Sequence, residues 1–92
     1  MDLHFEWDPR KAAANIEKHG VGFEEAATVF GDPLGKIVDD PRHSIREKRY
    51  ALIGRSDQNR LLVIMYTERR EAVRIISARD VTREERKNYE EN

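Results

Sequence analysis

The chain contains no cysteine, which excludes a disulfide framework, a thiolate zinc site and a cysteine nucleophile. It also lacks any apolar run that approaches the roughly 18 residues of a membrane-spanning helix. The first residues, Met1 to Glu6, do not show the basic and then apolar pattern of a signal peptide. We therefore expect a protein of the cytoplasm that has no membrane partner.

Apolar residues are also scarce, at 38% of 92 residues, and charged residues make up another 38% against a usual share of about 25%. A chain of this length buries only about 60–65% of its unfolded surface. Residues 1–92 are therefore expected to form one domain with a compact core. Since no glycine-rich phosphate loop, dinucleotide-binding fingerprint or Ser/His/Asp arrangement is present, ATP-driven and acyl-transfer chemistry have no support.

Cations are unevenly distributed along the chain, although the net charge is only −1. Residues 1–46 hold six Lys and Arg against nine Asp and Glu, and residues 47–92 hold eleven against nine. Twelve of the seventeen cations are arginine, whose planar guanidinium can bind phosphate through two hydrogen bonds. The arginines are compatible with an anionic partner, RNA above all. The alternative, which composition by itself favours, is a solvated surface with Glu–Arg pairing.

Apolar spacing predicts an α+β fold in the order β-α-α-β-β-β-β-α. We expect an antiparallel β-sheet of about four strands, with two N-terminal helices and a C-terminal helix. Strands are predicted from alternating or continuous apolar residues at 3–7, 37–38, 50–54, 61–66 and 72–78. No polar residue interrupts the run at 61–66, so it should be the central strand, covered on both faces.

Local signals also predict where the helices begin and end. Asp8 and Pro9 suit the start of a helix that Gly20 should end. A second helix is predicted over 23–30, where four apolar residues recur at helical spacing. Thr82 begins the last helix with a capping box, and that helix is polar nearly all round.

Four arginines flank or lie within the last two predicted strands: Arg60, Arg69, Arg74 and Arg79. Arg69 is expected in the turn between those strands, and Arg79 at the end of the second one. In a small antiparallel sheet several such side chains can converge on one surface, where they would hold a phosphodiester and stabilise its transition-state charge. The alternative is pairing with nearby glutamates, although exposed pairs contribute only about 0–1 kcal/mol each.

Proton transfer needs other groups, because arginine stays charged near neutral pH. The candidates are His19, His43, Glu47, Glu68 and Tyr66. His19 ends a predicted helix, where it can simply complement the dipole, and Tyr66 can be a core residue with its hydroxyl at the rim. His43 and Glu47 stand four residues apart and would share a helical face, but one such pair supplies too few ligands for a metal.

Three segments together resemble one known family. They are FEWDPRKAAANIEKHGVGFEEAATVF, DDPRHSIREKRYALIG and RLLVIMYTERREAVRIISARDVTREERKNYEE, and they follow one another from Phe5 to Glu91. In these segments the chain is similar to the BrnT toxins of bacterial type II toxin–antitoxin pairs. One departure is Gly22, where the family often has a serine N-cap, and this weakens the second helix slightly.

The resemblance implies a RelE-like fold, a ribonuclease activity that halts translation, and a BrnA antitoxin that neutralises the toxin and supplies the contact with DNA. We expect no cofactor and no metal. The positions that match the family's motifs are Lys18, His19, His43, Glu47, Arg49, Tyr66, Glu68, Arg69, Arg74 and Arg79. Family membership does not say which of them touches the scissile phosphate.

From these positions we expect metal-independent cleavage in which the RNA 2′-hydroxyl attacks the adjacent phosphorus. Arg69 and Arg79 would stabilise the transition-state charge. His19, Glu68 or Tyr66 would move the protons. RNA binding would depend on the remaining motif positions, which are Lys18, Arg49, Arg74, His43 and Glu47.

Other classes of function stay open at this point. One is a non-catalytic module that binds a protein or RNA and inhibits by occupancy, whereas the nuclease could act on RNA that is held on the ribosome. A DNA-binding repressor fits less well, because the last predicted helix mixes basic residues with glutamates and is not a basic recognition helix.

Overall fold

The computed structural model describes residues 3–39 and 47–91, so the predicted site residue His43 lies outside the described residues. The strands are β1 (His4–Glu6), β2 (Lys36–Asp39), β3 (Arg49–Arg55), β4 (Leu61–Arg69) and β5 (Ala72–Asp80). The helices are α1 (Pro9–His19), α2 (Phe23–Thr28) and α3 (Arg83–Glu90), and a 3₁₀ turn at Val29–Gly31 extends α2. Among these residues, no helix is long and apolar enough to cross a membrane.

The five strands form one mixed sheet in the order β1-β5-β4-β3-β2. Strands β2 to β5 pair with their neighbours in antiparallel fashion, whereas β1 pairs with β5 in parallel. The α+β class is therefore confirmed, but the prediction of an antiparallel sheet of about four strands is wrong. Short connections impose antiparallel pairing only on strands that follow one another, and β1 instead joins a strand that is distant along the chain.

The first helix begins and ends where its local signals predict. Asp8 is the N-cap, and its carboxylate accepts a hydrogen bond of 2.8 Å from the backbone N–H of Arg10. Pro9 occupies the first turn, where its missing N–H costs nothing. Gly20 ends the helix with φ 69°, a left-handed conformation that glycine adopts without steric penalty.

The sheet is covered on both faces. Helices α1 and α2 cover what we call the helical face, where the fully buried Phe23 packs with Leu62 and Ile75. Helix α3 lies over part of the opposite face, which we call the second face. There Tyr89 packs with a smaller apolar cluster made of Ala51, Ile53, Leu61 and Val63. Since apolar residues of β4 take part in both cores, the prediction that it is the central strand is confirmed.

Candidate nucleic-acid interface

Side-chain alternation along the last residues of β4 determines which face of the sheet each candidate residue there occupies. Arg70 adopts a positive φ of 55° and makes the turn into β5, so Arg69 is the last residue of the strand. The prediction that Arg69 lies in the turn is therefore wrong. Because side chains alternate along a strand, Tyr66 and Glu68 belong to the helical face, and Thr67 and Arg69 to the second face.

The strand register arranges charged residues in a row across the second face. Arg49 in β3 is opposite Thr67 in β4, Thr67 is opposite Arg74 in β5, and Arg74 is the partner of Glu6 in β1. Arg69 lies two residues beyond Thr67 on the same face. Adjacent strands are about 4.8 Å apart, so Arg49 and Arg74 are separated by roughly 10 Å across the sheet.

Two carboxylates accompany these cations. Glu6 Oε2 lies 2.7 Å from Nη1 of Arg74, and Glu47 Oε2 lies 3.6 Å from Nε of Arg69. We call the surface formed by Arg49, Arg69 and Arg74 with Glu6 and Glu47 the arginine face. Below it Thr67 is fully buried, and its hydroxyl donates a hydrogen bond of 2.6 Å to the carbonyl of Lys48. This bond fixes the start of β3 against the end of β4.

Arg79 also occupies the second face but does not join the arginine face. It is opposite Val63, four residues from Thr67 along β4, which is about 13 Å at strand spacing. Both of its terminal nitrogens donate to Glu85 of α3, at 2.8 and 3.0 Å. These hydrogen bonds lower the pKa of Glu85 to about 2. A phosphate would have to displace a well-formed bidentate pair to reach Arg79.

Arg60 lies on the other side of the sheet. Its guanidinium donates to both carboxylate oxygens of the buried Glu25, at 2.9 and 2.5 Å, and Ser56 donates to the same carboxylate at 2.7 Å. The Arg60 hydrogen bonds are the main reason why the pKa of Glu25 lies below its ordinary value. The expectation that Arg60, Arg69, Arg74 and Arg79 converge is therefore met only by Arg69 and Arg74.

Lys18 and His19 are also far from the arginine face. They end α1, and Arg60 donates to the carbonyl of Gly20 at 3.1 Å, so this end of the helix lies near the start of β4. Arg69 lies at the opposite end of that nine-residue strand, about 26 Å away at ~3.3 Å per residue. No single substrate linkage contacts both ends of the sheet.

The aromatic candidates are part of the core. Tyr66 is only 5% exposed, and its ring lies edge-on to Phe30 with centroids 5.0 Å apart and stacks on Tyr50 at 5.4 Å. Burial raises the pKa of Tyr66 to about 12. Trp7 lies edge-on to Phe23 with centroids 5.9 Å apart and packs against the same core.

Sequence reasoning missed the two β1 residues that join the second face. Glu6 contacts Arg74 directly, and His4 is the register partner of Ala72 at the edge of the arginine face. Alternation along residues 3–7 identifies the strand, but nothing local shows that it pairs with β5. Within residues 3–39 and 47–91, no cluster of three or more His, Asp or Glu side chains has the arrangement to hold a metal ion.

Comparison with known proteins identifies the family. Residues 7–85 match the family described as "Ribonuclease toxin, BrnT, of type II toxin-antitoxin system". The chain belongs to the BrnT family. No curated protein sequence gives a significant match.

The fold is that of a solved BrnT structure. The ribonuclease toxin BrnT of Brucella abortus, known from a crystal structure, is 20% identical to the chain and superposes with a TM-score of 0.68. The similarity covers 89% of this chain and 100% of the Brucella chain. At this identity the comparison shows the BrnT fold. The part of the chain that matches the BrnT family contains the three arginines of the arginine face but begins after His4 and Glu6.

Proposed function

We propose that this BrnT toxin is an endoribonuclease that cleaves RNA without a metal ion, through attack of the 2′-hydroxyl on the adjacent phosphorus. One observation supports the proposal above all others: Arg69 and Arg74 project from neighbouring strands on one face. Arg69 is opposite Ala72, and Arg74 follows two residues later, so the two arginines are diagonal neighbours with Cα atoms roughly 7–8 Å apart. Two guanidinium groups at this spacing can bind the same phosphodiester.

The strength of each ion pair decides which arginine is available to RNA. Arg69 and Glu47 are separated by 3.6 Å with side chains 52% and 36% exposed, a geometry that contributes about 0–1 kcal/mol. A phosphate can displace such a carboxylate at little cost. Arg74 and Glu6 form a shorter pair of 2.7 Å, whereas Arg79 and Arg60 each hold a carboxylate with two hydrogen bonds. We therefore assign the phosphate contacts to Arg69 first and Arg74 second.

The reaction requires a proton to leave the nucleophile and another to reach the leaving group. Glu47, freed from Arg69 by the incoming phosphate, accepts the proton of the 2′-hydroxyl. The 2′-oxygen forms a bond to phosphorus as the bond to the 5′-oxygen breaks, and the leaving 5′-oxygen takes up a proton from water or an acidic group, giving a 2′,3′-cyclic phosphate and a 5′-hydroxyl. Arg69 and Arg74 stabilise the negative charge that develops on the non-bridging oxygens. Only RNA provides the nucleophile.

The other predicted site residues have weaker support in this proposal. Tyr66 is enclosed in the core, and Lys18 and His19 lie at the far end of the sheet. Glu68 belongs to the helical face, although it neighbours Arg69 in sequence. We retain Arg49 as an RNA-binding residue, because it shares the row that contains Arg74.

We further propose that the chain inhibits translation in the cytoplasm and is neutralised by a BrnA-type antitoxin. Type II toxins have an antitoxin partner, and family membership therefore implies one. An acidic antitoxin segment that covers the arginine face would occupy the contacts that phosphate needs. Any contact with DNA is assigned to the antitoxin.

A cleavage assay with purified toxin in EDTA tests the proposal. We expect RNA fragments with 2′,3′-cyclic phosphate ends, and roughly 100-fold slower cleavage by Arg69→Ala and by Arg74→Ala, as loss of a transition-state contact predicts. Arg10→Ala is the matched control, because its side chain is 94% exposed and lies on α1. A strict metal requirement, or full activity in both variants, would overturn the mechanism. Growth arrest with intact RNA would favour a module that inhibits by occupancy.

A further inference from the structure

The parallel pairing of β1 with β5 places a histidine beside the arginine face. His4 is the register partner of Ala72, and Glu6 is the partner of Arg74. Phe5, between them, lies edge-on to Phe30 in the helical core with centroids 5.1 Å apart. Since Glu6 contacts Arg74 on the second face and strand side chains alternate, the His4 side chain lies on the second face too.

His4 shares a row with Arg69. Ala72 is opposite Arg69 on one side and opposite His4 on the other, so two strand spacings, about 10 Å, separate the two backbones. The residue between them contributes only a methyl group. The exposed imidazole and the exposed guanidinium therefore lie on either side of Ala72, and we infer that one phosphodiester above Ala72 can contact both.

The two flanks of Arg69 carry complementary proton-transfer groups. Glu47 lies next to it on the β3 side, and His4 lies on the β1 side. In an in-line displacement the nucleophile and the leaving group are on opposite sides of phosphorus, so the base and the acid must also be on opposite sides. The arrangement around Arg69 satisfies this requirement.

We propose that His4 is the catalytic acid that protonates the 5′-oxygen as it leaves, an assignment that rests on the proposed ribonuclease function. The imidazolium gives its proton to the 5′-oxygen while Glu47 takes the proton of the 2′-hydroxyl. Both groups then exchange protons with solvent, which the exposure of His4 permits. Histidine suits this role, because an imidazole can both donate and accept a proton.

Among residues 3–39 and 47–91, the charged groups nearest to His4 in the register of the second face are Arg69, Arg74 and Glu6. Arg69 and Arg74 are cationic, and Glu6 is the nearest carboxylate along β1 but is already paired with Arg74. His4 precedes residues 7–85, the part that matches the family. The family match therefore does not include His4.

A leaving group that needs no proton provides the decisive test. An RNA oligonucleotide is synthesised with its mapped scissile 5′-oxygen replaced by sulfur, which departs as a thiolate. We expect His4→Ala and His4→Gln to cleave the normal RNA about 100-fold more slowly than wild type, and the sulfur-containing RNA within about threefold. Leu3→Ala is the control for disturbance of β1, because Leu3 is 55% exposed and directly precedes the strand.

The outcomes separate this inference from the proposed function. Cleavage by wild type to cyclic phosphate ends supports the function whatever the His4 variants do. Activity of both His4 variants within about threefold of wild type on normal RNA would overturn the assignment. An equal loss on both RNAs would also overturn it, because a structural defect does not depend on the leaving group. Absence of cleavage by wild type would overturn the function and the assignment together.

Discussion

Asn15 of α1 and Ala78 of β5 are joined by two hydrogen bonds that imitate strand pairing. The Asn15 amide donates to the carbonyl of Ala78 at 2.8 Å, and its oxygen accepts from the Ala78 N–H at 3.1 Å. Strand β1 pairs only with residues 72–74, so the buried Asn15 covers the part of the β5 edge that β1 does not reach. The same amide also donates to the carbonyl of Val21 at 2.9 Å.

Replacing Asn15 is expected to destabilise the whole domain. Asn15→Leu keeps a similar volume but removes all three hydrogen bonds and leaves buried backbone groups without them. We expect a loss of about 2–4 kcal/mol in the free energy of unfolding, measured by urea denaturation. Asn88→Ala on the exposed face of α3 is the control and should change stability by less than about 0.5 kcal/mol. If Asn15→Leu changed the free energy of unfolding by as little as the control, water would have to replace the hydrogen bonds that Asn15 makes to the backbone.

The pair between Arg79 and Glu85 predicts a specific dependence of stability on pH. Hydrogen bonds from Arg79 lower the pKa of Glu85 from 4.5 to about 2. Because folding lowers this pKa, the stabilisation by Glu85 is complete above about pH 4.5 and is lost as the pH falls toward 2. Glu85→Gln should cost about 1–2 kcal/mol at pH 7.

The comparison of unfolding free energies across pH tests this relationship. The difference between wild type and Glu85→Gln should shrink steadily below pH 4.5, whereas the exposed Glu84→Gln should differ little from wild type at every pH. A difference that stays constant from pH 7 to pH 2 would mean that the Glu85→Gln substitution disturbs the capping of α3 and that the charge contributes nothing.

Removal of the Tyr66 hydroxyl is expected to leave catalysis intact. The side chain is 5% exposed between Phe30 and Tyr50, and a pKa of about 12 leaves almost none of the phenolate at neutral pH. Tyr66→Phe should therefore cleave RNA within about twofold of wild type, with Arg69→Ala assayed beside it as an impaired reference. A 100-fold slower cleavage by Tyr66→Phe, with an unchanged circular dichroism spectrum, would mean that this hydroxyl takes part in catalysis.

Much of the local structure could be predicted from sequence because its determinants are local. The Thr82 hydroxyl accepts from the Glu85 N–H at 3.1 Å, and the Glu85 carboxylate accepts from the Thr82 N–H at 2.8 Å, so the predicted capping box is present. The start of α1 at Asp8 and its end at Gly20 follow from equally short-range rules. Each of these signals lies within a few residues of the feature it determines.

The site could be predicted only in part, because its geometry depends on distant pairings. Arg60 binds Glu25, 35 residues away, and this removes it from the surface on which the other late arginines lie. The β-bulge between β4 and β5 and the parallel addition of β1 set which residues share a row. Sequence spacing therefore identified Arg69 and Arg74 as candidates but gave no indication that His4 and Glu6 lie beside them.

Removing the carboxylate that competes for Arg74 is expected to strengthen RNA binding. Glu6 lies 2.7 Å from the guanidinium, with side chains 41% and 29% exposed, so a phosphate must displace it to contact Arg74. Glu6→Gln keeps the shape of the side chain and removes its charge. Since a pair of this kind contributes about 0.2–1 kcal/mol, we expect roughly 1.4- to fivefold tighter binding. Affinity is measured with a 2′-O-methyl RNA, which has no nucleophile and cannot be cleaved.

The control for Glu6→Gln removes one negative charge from the opposite side of the sheet. Glu17→Gln alters an exposed residue of α1 and shifts the net charge equally, so it reports the effect of overall charge on RNA affinity. Stronger binding confined to Glu6→Gln means that RNA phosphate and Glu6 compete for Arg74. An equal gain in both variants, or none in either, means that RNA does not contact Arg74, and the arginine face would lose one of its two assigned phosphate ligands.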